Sequence, residues 1–193
     1  MIAHDSDLIR VAGDAHKIKE LTAKELSETE LRQAGSIPLL LDVTSNVPEP
    51  LILNFEIKDP EAAPFLFTKL KTSASLRKRA IVSSFQMEIL KTAKEQLPDV
   101  RRIALLRAWV LPGMRRMVWP KIFEVEPWAV ATRIGSLNPS RIKWLHARGY
   151  KVGAYDNRPS IRAARRMAKL GVDIAMTYRP DAITSTQYAV HST

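Results

Sequence analysis

Leu51-Ile52-Leu53-Asn54-Phe55-Glu56-Ile57-Lys58-Asp59-Pro60 is the stretch on which the fold turns. Its apolar opening reads as a buried strand, and Asp59-Pro60 ends it, because proline cannot donate to a ladder. Side chains on a strand alternate between faces, so Glu56 and Lys58 emerge together at the strand's C-terminal end. A carboxylate and an ammonium presented there suit a metal ion and an anionic substrate. An ion pair that merely closes the strand mouth is the structural alternative, and this stretch alone does not separate the two.

The rest of the chain alternates in the same way. Strands are expected at 51–57, 80–85, 102–106, 128–134, 151–155 and 172–177, with helices at 60–71, 86–96, 138–148 and 159–170. Pro60 suits the first turn of a helix, where a missing N–H costs little. Asn138 is placed to start a helix, and Gly149 and Gly171 to stop two. The 109–127 stretch, punctuated by Pro112, Gly113, Pro120 and Pro127, reads as irregular. Before the first strand, Ile2-Ala3-His4-Asp5 resembles a strand end. Thr22 to Glu25 reads as a capping box, and 37–40 opens a further helix.

Six short apolar strands alternating with helices predict an α/β fold of parallel strands joined by crossover helices. An open doubly wound sheet and a (β/α)8 TIM barrel both fit. No strand is followed by a glycine-rich phosphate loop. A barrel of this kind takes about 250 residues, and the chain has 193.

Composition narrows the function. There is no cysteine, hence no disulfide, thiolate metal site or cysteine nucleophile. No apolar run approaches the ~18 residues of a membrane span, and the first residues lack the pattern of a secretory signal. A cytoplasmic protein is expected. The net charge of +10 collects in Arg77-Lys78-Arg79, Arg101-Arg102, Arg115-Arg116 and Arg162 with Arg165-Arg166. Such a surplus attracts nucleic acid, anionic lipid heads or a phosphorylated substrate. However, the clusters fall on different elements and none interleaves with aromatic residues, so they read mostly as solvated faces and argue against nucleic acid.

Taken in order, several segments resemble the glycerophosphodiester phosphodiesterase family of metal-dependent (β/α)8 barrels. His4-Asp5, Leu8 and Arg10-Val11 are similar to the family's second-histidine segment. Leu21-Thr22 with Glu25-Leu26, and Ile37-Pro38-Leu39, resemble the inserted loop and helix that follow it. Asn54-Phe55-Glu56-Ile57-Lys58 is similar to the Asn-x-Glu-x-Lys strand, and Val82-Ser83-Ser84-Phe85 to the next one. Gly149-Tyr150-Lys151-Val152, and Gly171-Val172-Asp173 with Arg179-Pro180-Asp181, resemble the last two β/α units.

The resemblance implies metal-assisted hydrolysis of glycerol-linked phosphodiesters to glycerol 3-phosphate and an alcohol, a step of lipid metabolism. It makes His4 a general acid or base, Glu56 a ligand of a divalent ion (Mg2+ or Ca2+), Lys58 a phosphate-binding cation and Tyr155 part of the substrate wall. Residues 1–183 would form the barrel-like domain and 184–193 a polar tail. The family's His-Arg-Gly strand end and Glu-x-Asp pair do not occur in the sequence. The barrel is therefore expected without its first two strands and first helix, with about six parallel strands, poor catalysis and weakened metal binding. Tyr155 stands where the family has a tryptophan, and Tyr178 where it has an aspartate. Self-association, or pairing with a completing segment, is expected at the exposed strand edges. Two other readings stay open: a non-catalytic barrel relative binding phosphate or anionic lipid heads, and a nucleic-acid binder acting through its basic surface.

Overall fold

The structure, a computed structural model, describes residues 1–33, 35–110, 115–158 and 160–183. The chain forms two units, Met1–Leu51 and Ile52–Thr193. The second holds a parallel sheet of six strands in sequence order: β1 Leu53–Glu56, β2 Ala80–Ser84, β3 Arg101–Leu106, β4 Ala129–Arg133, β5 Lys151–Tyr155 and β6 Ile174–Met176. Every neighbouring pair is parallel. This sequential order is that of a (β/α)8 barrel; a doubly wound sheet would reverse its order partway.

β2 to β5 read as nearly unbroken apolar runs because both of their faces are covered; β1, expected to be buried, is an edge strand with Asn54 and Glu56 exposed. On one face Ile81, Ile103, Leu105, Ala129 and Ala131 cluster, with Phe85, Trp128, Ile174 and Met176 packed against them. On the other, the helix Met87–Gln96 packs on β2 and β3, the helix Pro139–His146 on β5, and the helix Ile161–Leu170 on β6. The expected start and stop signals are present. Asn138 Oδ1 accepts the Arg141 N–H at 2.9 Å. Gly171 ends the Ile161–Leu170 helix at φ 65°, a backbone conformation that costs glycine nothing. The turn after β1 runs through Pro60–Ala62 into a helix at Ala63–Thr72, with Asp59 Oδ1 accepting the Glu61 N–H at 3.0 Å.

Gly153 in β5 is required by close approach. A Cβ there would lie 2.6 Å from the Cβ of Ala131 on β4.

Within the sheet unit three further expectations are corrected. The stretch read as irregular holds a helix, Arg115–Glu124, with Pro120 inside it. An interior proline costs about 3 kcal/mol. Trp119 offsets this by packing against Trp144 at 4.7 Å, Trp109 at 5.5 Å and Phe123 at 5.6 Å between ring centroids; such pairs each add about 0.5–1.5 kcal/mol beyond their buried area. The last strand is shorter than expected because the Asp173 carboxylate, not a backbone carbonyl, accepts the Val152 N–H at 2.8 Å. Arg102, read with the solvated clusters, is 8% exposed. Its guanidinium donates to the carbonyls of Val100, Val125, Pro98, Glu126 and Leu97 at 2.9–3.5 Å. Burial lowers its pKa, an effect that Glu126 opposes.

The first unit is built differently. Its helices are short, at Ile9–Ala12, Ala23–Glu28 and Leu40–Asn46, around a core of Leu8, Leu26 and Ile37. The capping box closes as expected: Thr22 Oγ1 accepts the Glu25 N–H at 3.2 Å, and the Glu25 carboxylate accepts the Thr22 N–H at 2.7 Å. The strand end expected at 2–5 is not there. Ile2 donates once, to the Pro38 carbonyl at 2.9 Å, and the unit's β pairing among the described residues is an isolated Asp7–Lys17 bridge. Without a continuous partner strand, the segment has no ladder to join.

Candidate functional site at the strand ends

Glu56 and Lys58 stand where alternation puts them, at the C-terminal end of β1, with the Lys58 Nζ 3.9 Å from Glu56 Oε1. The backbone beneath them is clamped by the end of β2. Ile57 donates to the Ser83 carbonyl at 2.8 Å. Ser84 Oγ donates to the Ile57 carbonyl at 2.7 Å, and Gln86 Nε2 to the Lys58 carbonyl at 2.6 Å. The two charged groups thus project from a fixed base.

The same alternation applies to every strand. Counting outward in steps of two, Leu105 and Ala131 are followed on that face by Arg107 and Arg133, and Ile81 by Ser83 and then Phe85. Tyr155 joins them from β5, opposite Arg133 in the register. Its ring meets Phe85 edge to face at 6.0 Å, and the Arg107 guanidinium lies 5.6 Å above the Phe85 ring. The Tyr155 hydroxyl donates to the Leu106 carbonyl at 2.9 Å. Burial raises the pKa of this phenol; Arg133 and Arg107 oppose the rise, and Glu56 adds to it. Glu56, Tyr155, Arg107 and Arg133 therefore share one electrostatic neighbourhood. Ser83 lies between Ile81 and Phe85 on this face, and its wholly buried hydroxyl has no partner among the described residues.

His4 is in the first unit. Its Nδ1 lies 2.6 Å from Asp5 Oδ1, and Arg10 Nε donates to Asp5 Oδ2 at 2.6 Å. The hydrogen bonds from His4, then Arg10, hold the Asp5 carboxyl below its ordinary value. A carboxylate fixed on one ring nitrogen orients a histidine for proton transfer at the other. His4, Asp5 and Arg10 line a shallow depression with Ile2, Leu31 and Pro38.

The residues around Glu56 do not fit a metal ion. Among the described residues no group of three or more histidine, aspartate or glutamate side chains is placed to hold one. Glu56 is a single hard oxygen donor with a lysine beside it and two arginines nearby, which favours an anion over a cation.

Sequence reading singled out Glu56, Lys58 and Tyr155, and the structure brings all three to one strand-end face. It missed Arg107 and Arg133. The signal was present: each follows an apolar inward residue by two positions, as Lys58 follows Glu56.

A model of the glycerophosphoryl diester phosphodiesterase family matches residues 1–182. The chain is 22% identical to Probable glycerophosphodiester phosphodiesterase 2 of Mycobacterium tuberculosis, over 94% of this chain and 71% of that protein. Among solved structures, a glycerophosphodiester phosphodiesterase from Parabacteroides distasonis superposes with a TM-score of 0.73 at 21% identity, covering 96% of this chain and 76% of that one. A phosphodiesterase from Oleispira antarctica, solved with the product sn-glycerol-3-phosphate, superposes with a TM-score of 0.71 at 19% identity, covering 94% and 76%.

Proposed function

This chain belongs to the glycerophosphoryl diester phosphodiesterase family, and from that premise we propose that it takes glycerol-linked phosphodiesters, the deacylated remains of phospholipids, and that the 193 residues hydrolyse them poorly. The observation that carries this reading is the clamped Glu56–Lys58 pair at the C-terminal end of a strand in a sequentially ordered parallel sheet. That end of such sheets is where their chemistry resides.

In the proposed roles, Lys58 holds the phosphate, as a compact positive charge suits an oxyanion. Tyr155 walls the substrate. His4 moves the proton: water adds to phosphorus, the bond to the alcohol oxygen breaks, and that oxygen receives a proton. The family resemblance assigns Glu56 to a Mg2+ or Ca2+ ion. Its surroundings in this chain do not complete such a site. Residues 1–183 are taken as the working body. Among the described residues no helix is long and apolar enough to cross a membrane, and a cytoplasmic site of action is part of the proposal. Within the sheet, β1 and β6 each have one paired neighbour, so a completing strand or a second copy would add there.

The test is release of glycerol 3-phosphate from glycerophosphocholine with added Mg2+ or Ca2+. A lost acid/base partner typically costs about 10²–10⁴-fold, and the 193-residue chain should fall short by at least that factor of a version preceded by a segment carrying His-Arg-Gly and Glu-x-Asp. In that version Glu56→Gln should abolish metal-dependent turnover. Strong metal-dependent turnover from the 193 residues would overturn the roles assigned here. The surplus of cations around Glu56 favours one alternative, a relative that binds phosphate or anionic lipid heads without turnover; substrate binding with no product from either version would establish it.

A further inference from the structure

We propose that Arg107 and Arg133 form a subsite for a second anionic group, so that the glycerophosphodiester taken by this chain carries a phosphate or carboxylate on its alcohol moiety. The inference rests on the reading above and narrows its substrate class.

The register pairs Leu106 with Thr132, so the next residues, Arg107 and Arg133, follow side by side off adjacent strands, which lie about 4.8 Å apart. Like charges in such positions repel. Arg10, Arg77 and Arg179 each have a carboxylate partner, Asp5, Asp99 and Asp181. No such ion pair is made by Arg107 or Arg133 among the described residues. Each is instead set beside a neutral ring: Arg107 lies over Phe85, and Arg133 is the register partner of Tyr155 on the adjacent strand. Phe85 and Tyr155 are themselves packed edge to face at an interplanar angle of 89°.

The result is two guanidinium groups bracketing an aromatic pair. A guanidinium carries five N–H donors, and a ring beneath or beside it leaves most of them for a ligand. Phosphate and carboxylate match that planar fork. Glu56 already lies beside Lys58, so the excess charge on this face belongs to the two arginines. Lys58, on the same face and two strands away, is left to hold the diester phosphate while the arginines meet the far end of the substrate.

Binding to the purified 193-residue chain tests this without requiring turnover. Titration calorimetry at low salt would compare glycerophosphocholine, glycerophosphoserine, glycerophosphoinositol 4-phosphate and inorganic pyrophosphate. Glycerophosphoinositol 4-phosphate should bind about tenfold more tightly than glycerophosphocholine, since its second phosphate accepts charge-assisted hydrogen bonds from the two guanidinium groups. Arg107→Gln and Arg133→Gln should each erase at least threefold of that preference, read as the ratio of the two affinities within each variant. Lys58→Gln should weaken all the diesters alike. A preference shared by glycerophosphoserine assigns the subsite to carboxylates as well; its restriction to the inositol phosphate assigns it to phosphate. Equal affinity for all the diesters, unchanged in both arginine variants, overturns the subsite and leaves the family reading standing. Arginine-dependent binding of pyrophosphate with no binding of any diester leaves the anion site standing and overturns the diester reading. No binding of any probe overturns both.

Discussion

The two units hold their chemically interesting residues by different means. In Met1–Leu51, His4 is oriented by Asp5, the next residue, and Asp5 by Arg10, five positions on. The Ala23–Glu28 helix there is capped from within a single turn. In the sheet unit, the Tyr155 hydroxyl bonds the Leu106 carbonyl 49 residues away, and Gln86 clamps Lys58 across 28. Local placement survives small disturbances but fixes little beyond itself. Placement by strands fixes many groups together, and a fault in one element reaches all of them.

Substitutions in the sheet unit should therefore cost more and unfold more. The largest effect is expected from Arg102→Met, which removes the donor shared by five carbonyls. A loss of about 3–5 kcal/mol in urea unfolding is expected; less than 1 kcal/mol would show that water serves those carbonyls as well. Gly153→Ala comes next. Its new methyl would sit 2.6 Å from Ala131 Cβ, and overpacking of this kind costs about 1–3 kcal/mol.

Asp173→Asn should follow, at about 1–2 kcal/mol. Burial alone would raise the Asp173 carboxyl. The Val152 N–H, His146 and Lys151 outweigh it and hold the carboxyl below its ordinary 3.8. A depressed carboxylate contributes stability that is present above pH 3.8 and is lost as pH falls through the lower folded value. The variant's stability should accordingly depend less on pH in that acid range, read from thermal unfolding at a series of pH values. Identical acid limbs would remove Asp173 from the account. The smallest effect is expected in the first unit. Thr22→Ala should cost about 1 kcal/mol and appear as faster amide exchange confined to the Ala23–Glu28 helix. Faster exchange across the sheet would break the contrast between local and strand-based placement.

The same contrast explains what the sequence revealed. Parallel strands and the facing of Glu56 and Lys58 follow from apolar runs and a two-residue period, which are local signals. The Thr22 and Asn138 caps were legible for the same reason. Arg107 and Arg133 were not, because their partnership depends on which strands adjoin, and that is decided by crossovers. The helix around Pro120 was hidden because its tryptophan packing outweighs the proline, and packing has no signature in a short window. Arg102 looked like one more surface charge, since nothing in Arg101-Arg102 distinguishes the buried residue from its neighbour. His4 was recognised by its motif, yet the expected strand beneath it is absent, for a motif constrains side chains more than backbone.

Ala131 and Gly153 occupy, between them, the room of one methyl group. Neither position can be varied on its own terms. Gly153→Ala should be tolerated once Ala131→Gly has made way for it, so the double variant should recover much of what the single one loses. Over evolutionary time such a pair drifts by exchange, and aligned relatives would show it as covariation between two small residues on adjacent strands. The position of the methyl, on β4 or on β5, would then shift the floor beside Arg133 and Tyr155 by one strand without altering a charged group.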